Sequence, residues 1–164
     1  MNSRFNINAV LIALLAFAAG FLAANIFHYG WEGSMMPYQQ YRFPNKAEYS
    51  SNGEMIFMTG VNEREERIPF TAGPQWLYMH GGGCASCHGA DGRGGIYPMM
   101  CGIRTPDIRY STLAEMHGMS DEDIIRAVTK GVDDEGEQLD LCMPRWQMSE
   151  KDIRDVIEYL KQLS

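Results

Sequence analysis

The longest hydrophobic feature of the chain is a continuous apolar run near its N-terminus. Residues 7–27 contain no charged side chain. A helix of this length, rising about 1.5 Å per residue, would match the roughly 30 Å hydrocarbon core of a bilayer. A cleaved secretory signal would have a shorter apolar region that ends in an A-x-A-like site, whereas this triplet lies mid-run at residues 16–18. We therefore predict a single transmembrane helix within an N-terminal anchor at residues 1–28, with a secretory signal as the alternative.

Two amphipathic segments in the second half of the chain predict helices. An S-x-x-D capping signature at residues 120–123 precedes apolar residues at helical spacing, and Gly131 is placed to end that helix. The same signature at residues 149–152 precedes apolar residues that follow one another at steps of three or four over residues 153–163. Both segments therefore predict helices with one buried face.

The remaining patterning is weaker but also favours helices. Residues 54–58 predict a short helix that ends at Gly60, and residues 112–117 predict one further helical turn. Residues 61–69 are charged and predict irregular structure. No segment alternates apolar and polar residues for long enough to predict a sheet. The pattern therefore predicts an all-α domain.

Composition separates the anchor from this domain. Residues 29–52 mix Pro, Gly, Ser and aromatic residues without helical or strand periodicity, which is typical of a linker. We therefore expect the folded domain to occupy residues 53–164.

The charge balance excludes one class of function. The chain has 14 Lys and Arg residues against 21 Asp and Glu residues, a net charge of −7. A protein that binds duplex nucleic acid needs a basic face to neutralise phosphates. We therefore expect no nucleic-acid partner.

Cys84, Cys87 and His88 form a C-x-x-C-H motif, the attachment sequence for c-type haem. Two thiols at this spacing can each add to one vinyl group of the porphyrin, and the adjacent imidazole can bind the iron. A thioredoxin-like C-x-x-C would be expected near a βαβ pattern, which is absent, and a structural zinc site would need four ligands. The motif therefore predicts one covalently bound haem c.

Together with this motif, several segments resemble the class I, single-haem c-type cytochromes. They are residues 53–57 as the first helix, CASCHG with the following DGRGG, the Met143-Pro144 pair, and the terminal helix that ends in Tyr159-Leu160. The resemblance covers residues 53–164 and implies a helical fold around one haem. In that family the first helix leads into the haem motif after a short stretch, so residues 61–83 are expected to be an insertion.

The resemblance also implies a location and an orientation. Haem is attached to such motifs on the outer side of the bacterial cytoplasmic membrane. The chain is therefore expected to cross the inner membrane once through residues 7–27, with a cytoplasmic N-terminus and a C-terminal haem domain in the periplasm.

The sixth iron ligand is expected to be Met143. In the class I fold, a methionine just before the last helix reaches the haem iron, and Pro144 would stiffen the loop that carries it. The fallback is Met148, which has less freedom because it directly precedes the helix cap. Lower-ranked candidates are Met99, Met100, His117 and His80.

The two cysteines outside the haem motif, Cys101 and Cys142, are expected to pair, because an exported protein meets an oxidising compartment. Two buried free thiols are the alternative.

The roles of four other residues near the site stay open. Pro98 or Pro106 could accept a hydrogen bond from the ring of His88. Arg145 and Trp146 could contact haem propionates or only shape their loop.

These expectations favour an electron carrier rather than an enzyme. The partners would be redox proteins or a membrane respiratory complex. Eight acidic residues between Asp121 and Asp140 form either a solvated face or a docking surface for a basic redox partner. The alternative is a haem-based sensor, or a haem subunit of a larger oxidoreductase complex, with a displaceable sixth ligand.

Overall fold

The computed structural model describes residues 14–17 and 45–163. The chain divides into two units, Met1–Arg42 and Phe43–Ser164. In the first unit, residues 14–17 are helical and their side chains are exposed. No helix within the described ranges has the length and hydropathy needed to cross a bilayer. Most of the predicted anchor at residues 7–27 lies outside those ranges.

The second unit is mostly helical. Its helices, in chain order, are a 3-10 turn at Lys46–Glu48, α1 at Asn52–Thr59, α2 at Gln75–His80, α3 at Ala85–His88, a π-helix at Ser111–Met116, α4 at Asp121–Lys130 and α5 at Glu150–Leu160. The π-helix lies where the sequence predicts a single helical turn.

The predicted capping signatures begin both C-terminal amphipathic helices. At α4, Ser120 Oγ accepts the backbone N–H of Asp123, whose carboxylate accepts the backbone N–H of Ser120 in return. Gly131 then ends α4 in the left-handed conformation. At α5, Ser149 Oγ accepts the backbone N–H of Asp152. These helix predictions are therefore confirmed, with α5 ending at Leu160.

The first helix begins slightly earlier than the sequence predicts. Ser51 Oγ accepts the backbone N–H of Glu54 and caps α1, which therefore starts at Asn52. The 3-10 turn before it contacts the rest of the unit through Lys46, whose Nζ lies 3.4 Å from a carboxylate oxygen of Glu63. The last residues of the predicted linker thus belong to the folded unit.

The helices α1 and α5 cross at close range. A Cβ at Gly53 would overlap the backbone carbonyl of Asp155, so only glycine permits this approach. Beside the crossing, the rings of Phe57 and Tyr159 lie 5.3 Å apart. Asn52 links the two helices by donating to the carboxylates of Asp152 at 3.0 Å and Asp155 at 2.6 Å. The crossing forms one side of the core.

A short antiparallel pair of strands corrects the all-α prediction. β1 (Phe70–Thr71) pairs with β2 (Arg145–Trp146), with Phe70 opposite Trp146. Two-residue strands are too short to give an alternating pattern, and their pairing joins segments far apart in the sequence. The pair matters for the site because it fixes the backbone just after Met143.

The predicted insertion at residues 61–83 is an ordered part of the unit. It contains a β-bridge between Val61 and Arg67, strand β1 and helix α2. Ile68 and Leu77 are buried in the core that α1, α4 and α5 form. The charged side chains of residues 64–67 are exposed, whereas Val61, Ile68 and Leu77 along the same segment are buried.

Candidate haem site

The C-x-x-C-H motif forms one turn of helix. Cys84 is the N-cap of α3, which contains Cys87 and His88, and the backbone N–H of His88 donates to the carbonyl of Cys84 at 2.9 Å. The two thiols are not bonded to each other. Burial raises the pKa of both thiols, that of Cys84 to about 12. Because the two thiols are not bonded to each other, both sulfurs are available for thioether bonds.

A hydrogen bond at one ring nitrogen orients the imidazole of His88. Its Nδ1 lies 2.9 Å from the carbonyl oxygen of Pro106. A carbonyl only accepts, so Nδ1 carries the proton and Nε2 keeps its lone pair. Burial lowers the pKa of His88, which keeps the ring neutral, and the weaker effect of the Pro106 hydrogen bond opposes this. Pro106 therefore holds the ring, while Pro98 lines the neighbouring cavity.

Thr105 is a site residue that sequence reasoning missed. Its buried Oγ1 donates to the carbonyl of Cys87 at 2.9 Å and accepts the backbone N–H of Ile96 at 3.2 Å. The chain thus returns to the haem motif directly before Pro106. A lone threonine gives no signal for this role in the sequence.

Cys84, Cys87 and His88 open onto a cavity of about 1090 Å³, counting the space open to solvent. The lining is almost wholly apolar and comes from α1, α4, α5 and the segments between them, including Phe57, Leu77, Ile108, Leu113, Ile124, Val128, Trp146, Val156 and Leu160. Such a lining suits a large flat apolar group.

Met143 lies close to His88 and lines the same cavity. The other predicted candidates, all within the described ranges, do not line it. Met148 packs against the core instead. The remaining candidates, Met99, Met100, His117 and His80, are exposed.

Met119 is a second methionine of the cavity lining that the sequence analysis did not consider. It directly precedes the cap of α4 and packs against the core. Met119 and Met143 are thus both thioethers of the cavity lining, and the closeness to His88 is observed for Met143.

The family comparison agrees with this geometry. The model of the cytochrome c family matches residues 70–164, more than half of the chain. The chain belongs to the cytochrome c family. No curated protein and no solved structure matches it. Membership implies a covalently bound haem c and electron transfer, and such domains are typically electron carriers rather than enzymes.

The residues of this cytochrome domain fit a haem c. Two unbonded thiols stand three positions apart, a neutral imidazole has a free Nε2, and a thioether lines the same apolar cavity. No cluster of three or more His, Cys, Asp or Glu side chains suited to a bare metal ion occurs in the described ranges. The two thiols, the imidazole and the thioether therefore form a donor set that suits a haem c.

A disulfide joins Cys101 to Cys142, with their Cα atoms 6.0 Å apart. Cys142 directly precedes Met143, so the bond attaches the candidate ligand to the segment that follows the haem motif. Arg145 shapes the same loop by donating to its backbone carbonyls, one of the two roles left open by the sequence.

Proposed function

We propose that the protein is a membrane-tethered monohaem cytochrome that passes single electrons between redox partners on the periplasmic side of the bacterial inner membrane. The observation that supports this most strongly is that His88 and Met143 lie close together and line one apolar cavity. A bound haem c would supply the ferrous–ferric couple.

The protein's own residues would hold the haem iron and surround the porphyrin. His88 would hold the iron through its neutral Nε2, Met143 would hold it through its thioether, and the apolar lining would surround the porphyrin. A Met/His pair raises the reduction potential of a haem protein. If His88 and Met143 both held the iron, no open position would remain for a substrate, which favours a carrier over an enzyme.

Carbon monoxide binding to the ferrous protein tests this function. An electron carrier with two firmly held side-chain ligands should resist carbon monoxide at neutral pH. Prompt stoichiometric binding would instead favour the alternative, a haem sensor or a haem subunit of a larger complex with a displaceable sixth ligand.

The proposed tether rests on residues 7–27. An uncharged run of this length would hold the haem domain at the membrane surface and limit its diffusion to partners in the same membrane. The full-length holoprotein should stay in the membrane fraction after a high-salt wash and be released by detergent. Recovery in the soluble fraction with a trimmed N-terminus would contradict the tether and support a cleaved signal.

We propose a basic surface on the redox partner. The acidic side chains of Asp134, Glu135, Glu137 and Asp140 are exposed, and Asp140 also lines the haem cavity. Opposite charges on the two proteins would raise their association rate at low salt. Electron transfer to a basic cytochrome partner should therefore slow as ionic strength rises. A rate that does not depend on salt would contradict this docking surface.

A further inference from the structure

Arg145 is a buried arginine two residues after the proposed iron ligand. Only 8% of its surface is exposed. None of the ion pairs found within residues 45–163 includes its guanidinium group. Burying an unpaired charge is costly, so other polar groups must compensate for the lost hydration of this cation.

Three backbone carbonyl groups provide that compensation, and all belong to residues 139–143, the ligand loop. The guanidinium donates to the carbonyl oxygen of Leu139 at 2.6 Å and to that of Asp140 at 3.1 Å. It also donates to the carbonyl oxygen of Met143 itself. The planar fork of Arg145 therefore fixes the backbone at both ends of the ligand loop.

The guanidinium of Arg145 packs directly against the backbone of Gly131. A Cβ at this position would overlap Nε and Cζ of Arg145. The carbonyl of Gly131 also accepts the backbone N–H of Leu139 at 2.8 Å. The end of α4, the guanidinium and the ligand loop thus pack together without room for a larger residue.

We propose that Arg145 is a positioning residue for the axial methionine. Its three hydrogen bonds keep the ligand loop closed, hold the Met143 sulfur at the iron, and set how readily another ligand displaces it. This inference rests on the proposed function, since it takes Met143 as the ligand. The Cys101–Cys142 disulfide attaches the same loop at a second, independent point.

Competition by imidazole at the ferric iron measures this role, because imidazole binds only where Met143 has left. Arg145→Met should bind imidazole at least about tenfold more tightly than the wild-type holoprotein, since the closed loop loses hydrogen bonds from a charged donor. Arg145→Lys keeps the charge without the fork and should fall between the two. A wild-type imidazole affinity in Arg145→Met would overturn the proposal.

Arg126→Met is the matched control. Arg126 donates to the carbonyl of Asp133 at 2.9 Å and pairs with Asp123 at 2.7 Å, outside the ligand loop. Its loss should leave the imidazole affinity at the wild-type value. An increase equal to that of Arg145→Met would show that general destabilisation opens the site, and would overturn the proposal.

The ferric sulfur-to-iron charge-transfer band separates two kinds of failure. If Arg145→Met keeps the band and the wild-type imidazole affinity, Met143 is the ligand but Arg145 does not position it. If the wild-type protein lacks the band, or Met143→Ala retains it, the proposed ligand itself is wrong. Should Arg145→Met yield no holoprotein, Arg145→Lys decides: tighter imidazole binding supports the proposal and an unchanged affinity overturns it.

Discussion

At the scale of single residues, the site is held together by side chains that donate to backbone carbonyls. His88 donates to Pro106, Thr105 donates to Cys87, and Arg145 donates to the ligand loop. The first two bonds join the haem motif to the segment at residues 105–106, and the bonds of Arg145 join β2 to the ligand loop. These hydrogen bonds, together with the Cys101–Cys142 disulfide, therefore hold the haem motif and the ligand loop in place.

Asp107 gives the stability of the protein a predictable pH dependence. Hydrogen bonds from Arg109, 2.6 Å at Nη2 and 3.1 Å at Nε, lower the pKa of Asp107 to about 2. A carboxylate with a lowered pKa stabilises the fold above its unfolded pKa of about 4, and this contribution is lost as the pH falls toward 2. Asp107→Asn should therefore lower the free energy of unfolding at pH 7 by about 1 kcal/mol.

Urea unfolding at several pH values checks this prediction. The gap between wild type and Asp107→Asn should narrow from about pH 4 to about pH 2. Asp134→Asn, a change at an exposed position, serves as the control and should have little effect. A gap that stays constant with pH would rule out the proposed role of the Asp107 carboxylate.

Which site residues can be found from the sequence depends on how local their signal is. The C-x-x-C-H motif is contiguous, and so its chemistry is readable directly. The hydrogen-bond partner of His88 cannot be identified from the motif alone. The path of the chain between the motif and Pro106 decides which carbonyl reaches the ring. Thr105 and the loop contacts of Arg145 leave no sequence pattern, since both side chains bind backbone carbonyls, which every residue carries.

At the scale of elements, the α1–α5 crossing positions one wall of the cavity. Phe57 on α1 and both Val156 and Leu160 on α5 line it. The close approach of the two helices at Gly53 brings these side chains to the same surface. A change at the crossing should therefore affect both the stability of the fold and the haem environment.

Gly53→Ala tests this crossing. The added methyl group would overlap the carbonyl of Asp155, and overpacking of this kind costs about 1–3 kcal/mol. The holoprotein should unfold at a correspondingly lower denaturant concentration. Gly102→Ala is the matched control, because a Cβ there meets no atom within 4 Å. Equal stability of the two variants would contradict the proposed packing.

Elements with local signals were predictable, and elements made by distant pairing were not. The helices α4 and α5 each carry a capping residue and an apolar stripe, and both form where the sequence predicts them. The β1–β2 pair joins residues 70–71 to residues 145–146, so nothing in either segment alone indicates it. Helix α2 is only six residues long and lies within residues 61–83, where the sequence indicates an insertion without naming a helix.

At the scale of the whole molecule, the second unit is built around its cavity. All the longer helices, α1, α4 and α5, contribute side chains to the apolar lining of this cavity. Apolar side chains are stabilised by close packing, so an apolar group bound among them would complete the core. Haem is thus expected to be part of the folded structure as well as the redox centre.

Preventing haem attachment tests this dependence. Cys84→Ala/Cys87→Ala should yield a chain with weaker far-UV circular dichroism than the holoprotein and without a cooperative thermal transition, because the apolar lining would lose its packing partner. A haem-free chain with the helicity and cooperative melting of the holoprotein would show that the fold does not need haem.

The central claim is that His88 and Met143 hold the haem iron together. The most direct measurement is the near-infrared sulfur-to-iron charge-transfer band of the ferric holoprotein, recorded for the wild type, Met143→Ala and Met148→Ala. The wild type and Met148→Ala should show the band, and Met143→Ala should lack it. Persistence of the band in Met143→Ala, or its loss in Met148→Ala alone, would contradict the account.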